Sequence, residues 1–145
     1  MRTFRILIVE DNPIFRQTIL DFLEVHFPSA LAESAEDGAS ALEKVEGFRP
    51  DLIFMDIKLR EENGLLITDQ IKRSHPNAKI VILTSYDWPE YREAAFKFGA
   101  DHFVVKGNSS NEEMVELIQS ILDRCDFAPC DDRKRNGAGR KQLPR

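Results

Sequence analysis

The chain has 145 residues, 42% hydrophobic and 31% charged, the composition of one ordinary globular domain. Its formal charge of −5 is unevenly spread: the six Lys/Arg of residues 131–145 against Asp131 and Asp132 give +4, which leaves −9 on the preceding 130 residues. A body this acidic argues against nucleic-acid binding by the domain itself, and no stretch approaches the ~20 apolar residues of a membrane span.

Short β-branched runs alternate with helical patterns five times along the chain. Arg5–Val9 reads as a first strand, nearly continuous in apolar residues as a strand buried on both faces must be. Asn12-Pro13 then supplies a capping side chain and a proline at the first helical position. Phe15, Ile19, Phe22, Leu23 and His26 follow at helical spacing, which predicts a helix from about Pro13 to Phe27. Leu31 to Ser34 is the weakest strand. Asp37-Gly38 opens a second helix carrying Ala41, Leu42 and Val45, ended by Gly47 and Pro50. Leu52–Met55 is a third buried strand, and the third helix covers Leu65 to Ser74, stopping before Pro76. Lys79–Leu83 forms the fourth strand. Asp87-Trp88-Pro89 starts a fourth helix that runs to a glycine cap at Gly99. His102–Val105 is the fifth strand, and Ser109 with Glu112, or Ser110 with Glu113, forms a capping box for a last helix whose apolar stripe is Met114, Leu117, Ile118, Ile121 and Leu122.

This alternation predicts an α/β fold, a doubly wound five-stranded parallel sheet of order 2-1-3-4-5 flanked by five helices. The domain is expected over residues 1–125, and 126–145, without apolar periodicity, reads as a flexible basic tail. Phe15, Phe22, Phe27, Phe54, Phe96 and Phe98 read as core. Cys125 and Cys130, four residues apart, match neither a redox nor a zinc spacing and read as unpaired thiols. The opening Met1–Arg5 stretch, whose apolar run turns acidic after five residues, does not read as a secretory leader. A cytoplasmic location is expected.

The functional signal is the placement of charged groups just past strand ends: Glu10 and Asp11 after the first strand, Asp56 after the third, Thr84 after the fourth and Lys106 after the fifth. In a parallel sheet of this order, all of them meet at one rim. Close carboxylates repel unless a cation sits among them, and Mg²⁺, which prefers oxygen ligands partly completed by water and phosphate, suits such a cluster. One ionised aspartate is then a nucleophile toward a phosphoryl donor. Lys106 offsets the arriving charge, and the Thr84 hydroxyl donates to it. Each residue alone has a bland reading as a cap or a surface group. Their joint occurrence is what carries weight.

With these motifs in order, Val9-Glu10-Asp11-Asn12-Pro13, Asp51 to Ile57 with Gly64, Leu83-Thr84-Ser85, and Gly99-Ala100-Asp101 followed by Phe103-Val104-Val105-Lys106, residues 4–124 resemble the receiver domain of two-component response regulators, the CheY-like superfamily. The resemblance implies a phosphorelay module that is not an enzyme in its own right. Asp56 would take phosphate from the phosphohistidine of a sensor histidine kinase or phosphotransfer protein. It implies Mg²⁺ ligated by Asp11, Asp56 and the backbone carbonyl of Lys58, with Glu10 acting through water. It also implies that Thr84 moves onto the phosphoryl group while Phe103 turns inward. Output would pass to a downstream partner or a second copy through the face of the fourth helix, fifth strand and fifth helix, which carries mixed charge around Lys97, Asp101 and Glu112 to Glu116.

Several positions depart from the common pattern. The acidic pair is Glu-Asp, Arg60 stands where proline is usual, and Gly107 replaces a frequent proline, so that a less rigid loop is expected after Lys106. Phe103 lacks a tyrosine hydroxyl, so its rotamer is expected to respond to packing alone. Lys58 and Tyr86, each two residues beyond a site residue, flank the path of an attacking water and are expected to slow hydrolysis of an aspartyl phosphate. Three alternatives remain open: an aspartyl-phosphate phosphohydrolase, disfavoured because its second acid would fall at Lys58; a scaffold that never takes phosphate; and the receiver half of a DNA-binding regulator, suggested by Val105-Lys106-Gly107-Asn108-Ser109-Ser110.

Overall fold

A computed structural model describes residues 3–127 of the chain. The elements in order are β1 (Arg5–Val9), α1 (Pro13–His26), β2 (Leu31–Ala35), α2 (Gly38–Phe48), β3 (Leu52–Met55), β4 (Lys58–Leu59), β5 (Glu62–Asn63), α3 (Gly64–Ser74), β6 (Lys79–Thr84), α4 (Pro89–Lys97), β7 (His102–Val105) and α5 (Asn111–Phe127). Five strands form one parallel sheet in the order β2-β1-β3-β6-β7. This is the 2-1-3-4-5 arrangement expected, with β6 and β7 as the fourth and fifth strands. Unforeseen is the antiparallel pair β4–β5, in which Lys58 faces Asn63 and Leu59 faces Glu62 across a tight turn at Arg60-Glu61. Two residues per strand are too few to leave a periodic signal.

Alternation along the strands divides the core into two layers. Leu7, Val9, Ile53, Met55, Ile80 and Ile82 point toward α2, α3 and α4, where Ala41, Val45, Leu65, Ile71 and Ala95 meet them. Ile6, Ile8, Leu52, Phe54, Val81 and Leu83 point the other way, onto Leu23 of α1 and Ile118, Ile121 and Leu122 of α5. β2 lies at the sheet edge with Leu31 half exposed, which is why its pattern was the weakest. Phe96 departs from the expected core set: it is exposed, on the outer side of α4. Cys125 packs in the α1–α5 layer, whereas Cys130 and most of the expected tail lie outside the described residues. α5 reaches Phe127, two residues past the expected domain boundary.

The capping signals translate into bonds. Asn12 Oδ1 accepts from the Ile14 and Phe15 amides. Asp37 and Ser40 form a capping box on α2, and of the two alternatives for α5 it is Ser110 with Glu113 that closes. Gly99, at φ 108°, completes a Schellman-type end to α4, with Ala100 N–H on the Ala95 carbonyl and Gly99 N–H on that of Phe96. The rest of that motif is structural too. Asp101 accepts from the Ile80 amide and pairs with Lys72 of α3 at 2.9 Å, so its charge is drawn inward from the α4–β7–α5 face. Among the described residues, no helix is long and apolar enough to cross a membrane.

Candidate functional site

Parallel pairing brings the carboxyl ends of β1, β3, β6 and β7 to one rim, and the residues that follow them meet there. Carboxylate oxygens of Glu10, Asp11 and Asp56 all lie within 4.8 Å of one another. Lys106 Nζ closes the group, donating to Glu10 Oε1 at 2.8 Å and to Asp56 Oδ2 at 3.1 Å. Glu10, Asp56 and Thr84 are buried, and Asp11 is partly exposed. The backbone sets each carboxylate: Asp56 Oδ1 accepts from the Ile57 amide (2.7 Å), Glu10 Oε2 from the Asn12 amide (3.1 Å) and Asp11 Oδ2 from the Arg60 amide (3.0 Å).

Burial raises the Glu10 pKa above its ordinary value, opposed by the bond from Lys106. For Lys106, burial pushes the ammonium down, but the bond to Glu10 and the charge of Asp56 outweigh it, so its pKa is raised. One ammonium, shared by two of the three acids, offsets a single charge, and the remaining negative charge with hard oxygen donors in reach is the chemistry of a divalent-cation site. The residues present fit that group.

Thr84 ends β6 beside Lys106, whose amide donates to the Thr84 carbonyl at 2.8 Å. Its hydroxyl oxygen accepts from the Tyr86 amide at 3.3 Å. Phe103 pairs in register with Ile82, two residues short of the rim. Its ring is not governed by packing alone, as its missing hydroxyl had suggested. The Arg92 guanidinium of α4 sits 4.6 Å from the ring centroid, and Asp87 holds Arg92 at 2.8 Å. Lys58 and Tyr86 do meet at the mouth, with Nζ 5.3 Å from the Tyr86 ring, and Tyr86 and Trp88 both contact Tyr91. A cleft of about 300 Å³ lies alongside, lined by Ile57, Lys58, Arg60 to Asn63 and Tyr91.

The departures at Arg60 and Gly107 have structural reasons. Arg60 takes φ 53° in the β4–β5 turn and donates its amide to Asp11, neither of which a proline permits. Gly107, at φ 84°, sits in a turn in which Asn108 N–H reaches the Val105 carbonyl at 3.1 Å. Gly64 is required: a Cβ there would overlap the Asp56 carbonyl oxygen.

Three further contacts escaped the sequence reading. Phe15 lays its ring 4.1 Å from Lys106 Nζ, Arg16 donates to the Glu10 carbonyl at 2.8 Å, and Glu62 Oε1 accepts from the Gly38 amide at 2.7 Å, tying the β4–β5 turn to the start of α2. Helical spacing marked Phe15 only as core. Nothing local indicates that its face meets a lysine ninety-one positions later.

Sheet order and rim together define a doubly wound α/β domain with an acidic, lysine-closed pocket at its topological switch point. The family profile described as the response regulator receiver domain matches residues 6–119. A protein-glutamate methylesterase/protein-glutamine glutaminase of Geobacillus kaustophilus is 35% identical over 107 residues, 73% of this chain and 31% of that protein. The oxygen regulatory protein NreC of Staphylococcus carnosus is 30% identical over 118 residues, 81% of this chain and 54% of that one. A crystal structure of a DNA-binding response regulator of the LuxR family from Staphylococcus aureus superposes with a TM-score of 0.72 at 29% identity, covering 81% of this chain and 98% of that one. This chain belongs to the response-regulator receiver family and is a phosphorelay receiver domain, and it spans about a third to a half of the length of these two curated relatives.

Proposed function

We propose that Asp56 is the phosphoacceptor, and the observation that carries this reading is the sharing of Lys106 Nζ between Asp56 and Glu10 inside a three-carboxylate cluster. A carboxylate oxygen of Asp56 attacks phosphorus of the phosphohistidine of a sensor histidine kinase or phosphotransfer protein. The new P–O bond forms as the P–N bond breaks, and its electron pair leaves with the imidazole. Asp11, Asp56 and the backbone carbonyl of Lys58 would hold Mg²⁺, with Glu10 acting through water. When bound, that cation neutralises charge on the phosphoryl oxygens. Lys106 exchanges its Asp56 contact for a phosphoryl oxygen. The buried Thr84 hydroxyl turns to donate to another, and Phe103 follows inward. The changed α4–β7–α5 face then binds a downstream partner or a second copy. On this reading the acidic domain works in the cytoplasm and leaves nucleic acid to other chains or segments.

Incubation with Mg²⁺ and acetyl phosphate tests this. A single stable phosphoryl adduct, absent from Asp56→Asn, is expected. Multiple turnover would instead indicate a phosphohydrolase, and no adduct a scaffold. Lys58 and Tyr86, in contact at the mouth, shield the adduct from water, so Lys58→Ala and Tyr86→Ala are each expected to shorten its lifetime in a dephosphorylation time course.

A second reading, the receiver half of a DNA-binding regulator, is favoured by the likeness to the LuxR-family structure and by the fraction of NreC that this chain spans. In that case phosphorylation acts on DNA through a segment beyond the domain. Operator binding by a longer chain, absent from residues 1–127 alone, distinguishes it.

A further inference from the structure

We propose that Phe15 is a positioning residue for Lys106, an aromatic platform that keeps the ammonium in the site while its carboxylate partners change. The inference rests on the role given to Lys106 above and adds a residue to that machinery.

Among the described residues, Lys106 Nζ lies against Glu10 Oε1 at 2.8 Å, Asp56 Oδ2 at 3.1 Å and the Phe15 ring centroid at 4.1 Å. The side chain is 17% exposed, so water competes weakly for the cation and the attraction of the ring face is near its stronger range. The two carboxylates are directional partners, and one of them is the atom group that reacts. When Asp56 becomes an acyl phosphate its charge and shape change, and Lys106 must shift without leaving the pocket. A ring face is a broad, chemically inert acceptor over which an ammonium can slide while remaining attracted.

The position of that ring is itself determined locally. Asn12 Oδ1 accepts from the Phe15 amide at 3.1 Å as well as from Ile14, Pro13 occupies the first helical position, and Arg16 reaches back to the Glu10 carbonyl at 2.8 Å. The first turn of α1 therefore braces both the acid that holds Lys106 and the ring beneath it. Asn12-Pro13 is thus more than a helix start, since it aims Phe15 at a residue from the far side of the sheet.

The test compares Phe15→Leu, which keeps apolar volume but has no π face, with Phe15→Tyr, which keeps the ring. Thermal melts establish that both are folded, and Phe15→Met replaces the leucine variant should that one fail to fold. At saturating Mg²⁺, Phe15→Leu is expected to slow phosphorylation by acetyl phosphate roughly five- to thirtyfold, the population change that a largely desolvated cation–π contact corresponds to. Its Mg²⁺ affinity by calorimetry stays at the wild-type value, and Phe15→Tyr recovers the rate. In metal-free protein, reductive methylation of Lys106, read by mass spectrometry, should be faster in Phe15→Leu by a similar factor and restored in Phe15→Tyr. Equal behaviour of wild type and Phe15→Leu in both assays, or equal impairment in the leucine and tyrosine variants, overturns the proposal. If the wild type takes no phosphate, the phosphoacceptor reading fails, while Lys106 methylation still decides whether Phe15 holds the lysine.

Discussion

Thr68 carries a fully buried hydroxyl with no hydrogen-bond partner among the described residues, on the face of α3 that enters the core. A buried polar group without a partner retains its desolvation cost. Thr68→Val, which keeps the shape and removes the hydroxyl, is therefore expected to stabilise the fold by about 1 kcal/mol, measured as a raised denaturant midpoint at unchanged slope. Glu10 behaves in the opposite sense. Its pKa is raised by burial, so the stability it contributes is fully present below its ordinary value of 4.5 and is lost as pH rises through the higher folded value. The neutral isostere Glu10→Gln escapes that loss. In EDTA its stability relative to wild type is expected to grow between pH 4 and pH 7, measured by denaturant unfolding at each pH. At this scale the residue types at the site were readable, because acids and a lysine past strand ends are few. Their partners were not, since Phe15 looked like core and no motif singled out Arg92.

The β4–β5 turn is the element that sequence patterning missed, and it controls Asp11. Arg60 holds φ 53°, a left-handed conformation that costs an L-residue roughly 1–2 kcal/mol. Arg60→Gly removes that cost and keeps the amide on Asp11, while losing an exposed pair with Glu36 at 3.6 Å and the attraction of the Arg60 charge for Asp37, both weak at an exposed site. It is expected to be more stable than wild type with unchanged Mg²⁺ affinity. Arg60→Pro can adopt neither the angle nor the bond, and is expected to lose stability and bind Mg²⁺ more weakly, both checked by thermal melts with and without the metal. On the other side of the site, α4 places Arg92 over Phe103. For Phe103 to turn inward the ring must leave that cation, so Arg92→Leu is expected to favour the inward rotamer by about 0.5–1 kcal/mol. Ring resonances of Phe103 in NMR spectra, with and without acetyl phosphate, would register the shift. Both contacts join elements that sequence reading treats separately, which is why neither was foreseen.

For the whole molecule, three buried or half-buried acids against one lysine leave the metal-free fold with uncompensated charge at the rim. A cation that binds the folded state alone adds stability by mass action, about 1.4 kcal/mol at ten times its dissociation constant. Mg²⁺ is accordingly expected to raise the melting temperature of wild type, with the gain largely absent in Asp11→Asn and reversed by EDTA. Hydrophobic runs alternating with helical spacing indicated the five parallel strands and their helices, most weakly at the edge strand β2, and the doubly wound pattern that this alternation implies supplied the sheet order. It also determined which charged residues face the rim, since a strand's end is a position along the chain. Only the tertiary structure decided how those residues are held: the ring beneath Lys106, the amide of Arg60 on Asp11, the guanidinium over Phe103 and the turn of Glu62 against α2. These contacts join residues between 11 and 91 positions apart. Their strength comes from distance and orientation in space, which periodicity along a chain does not encode.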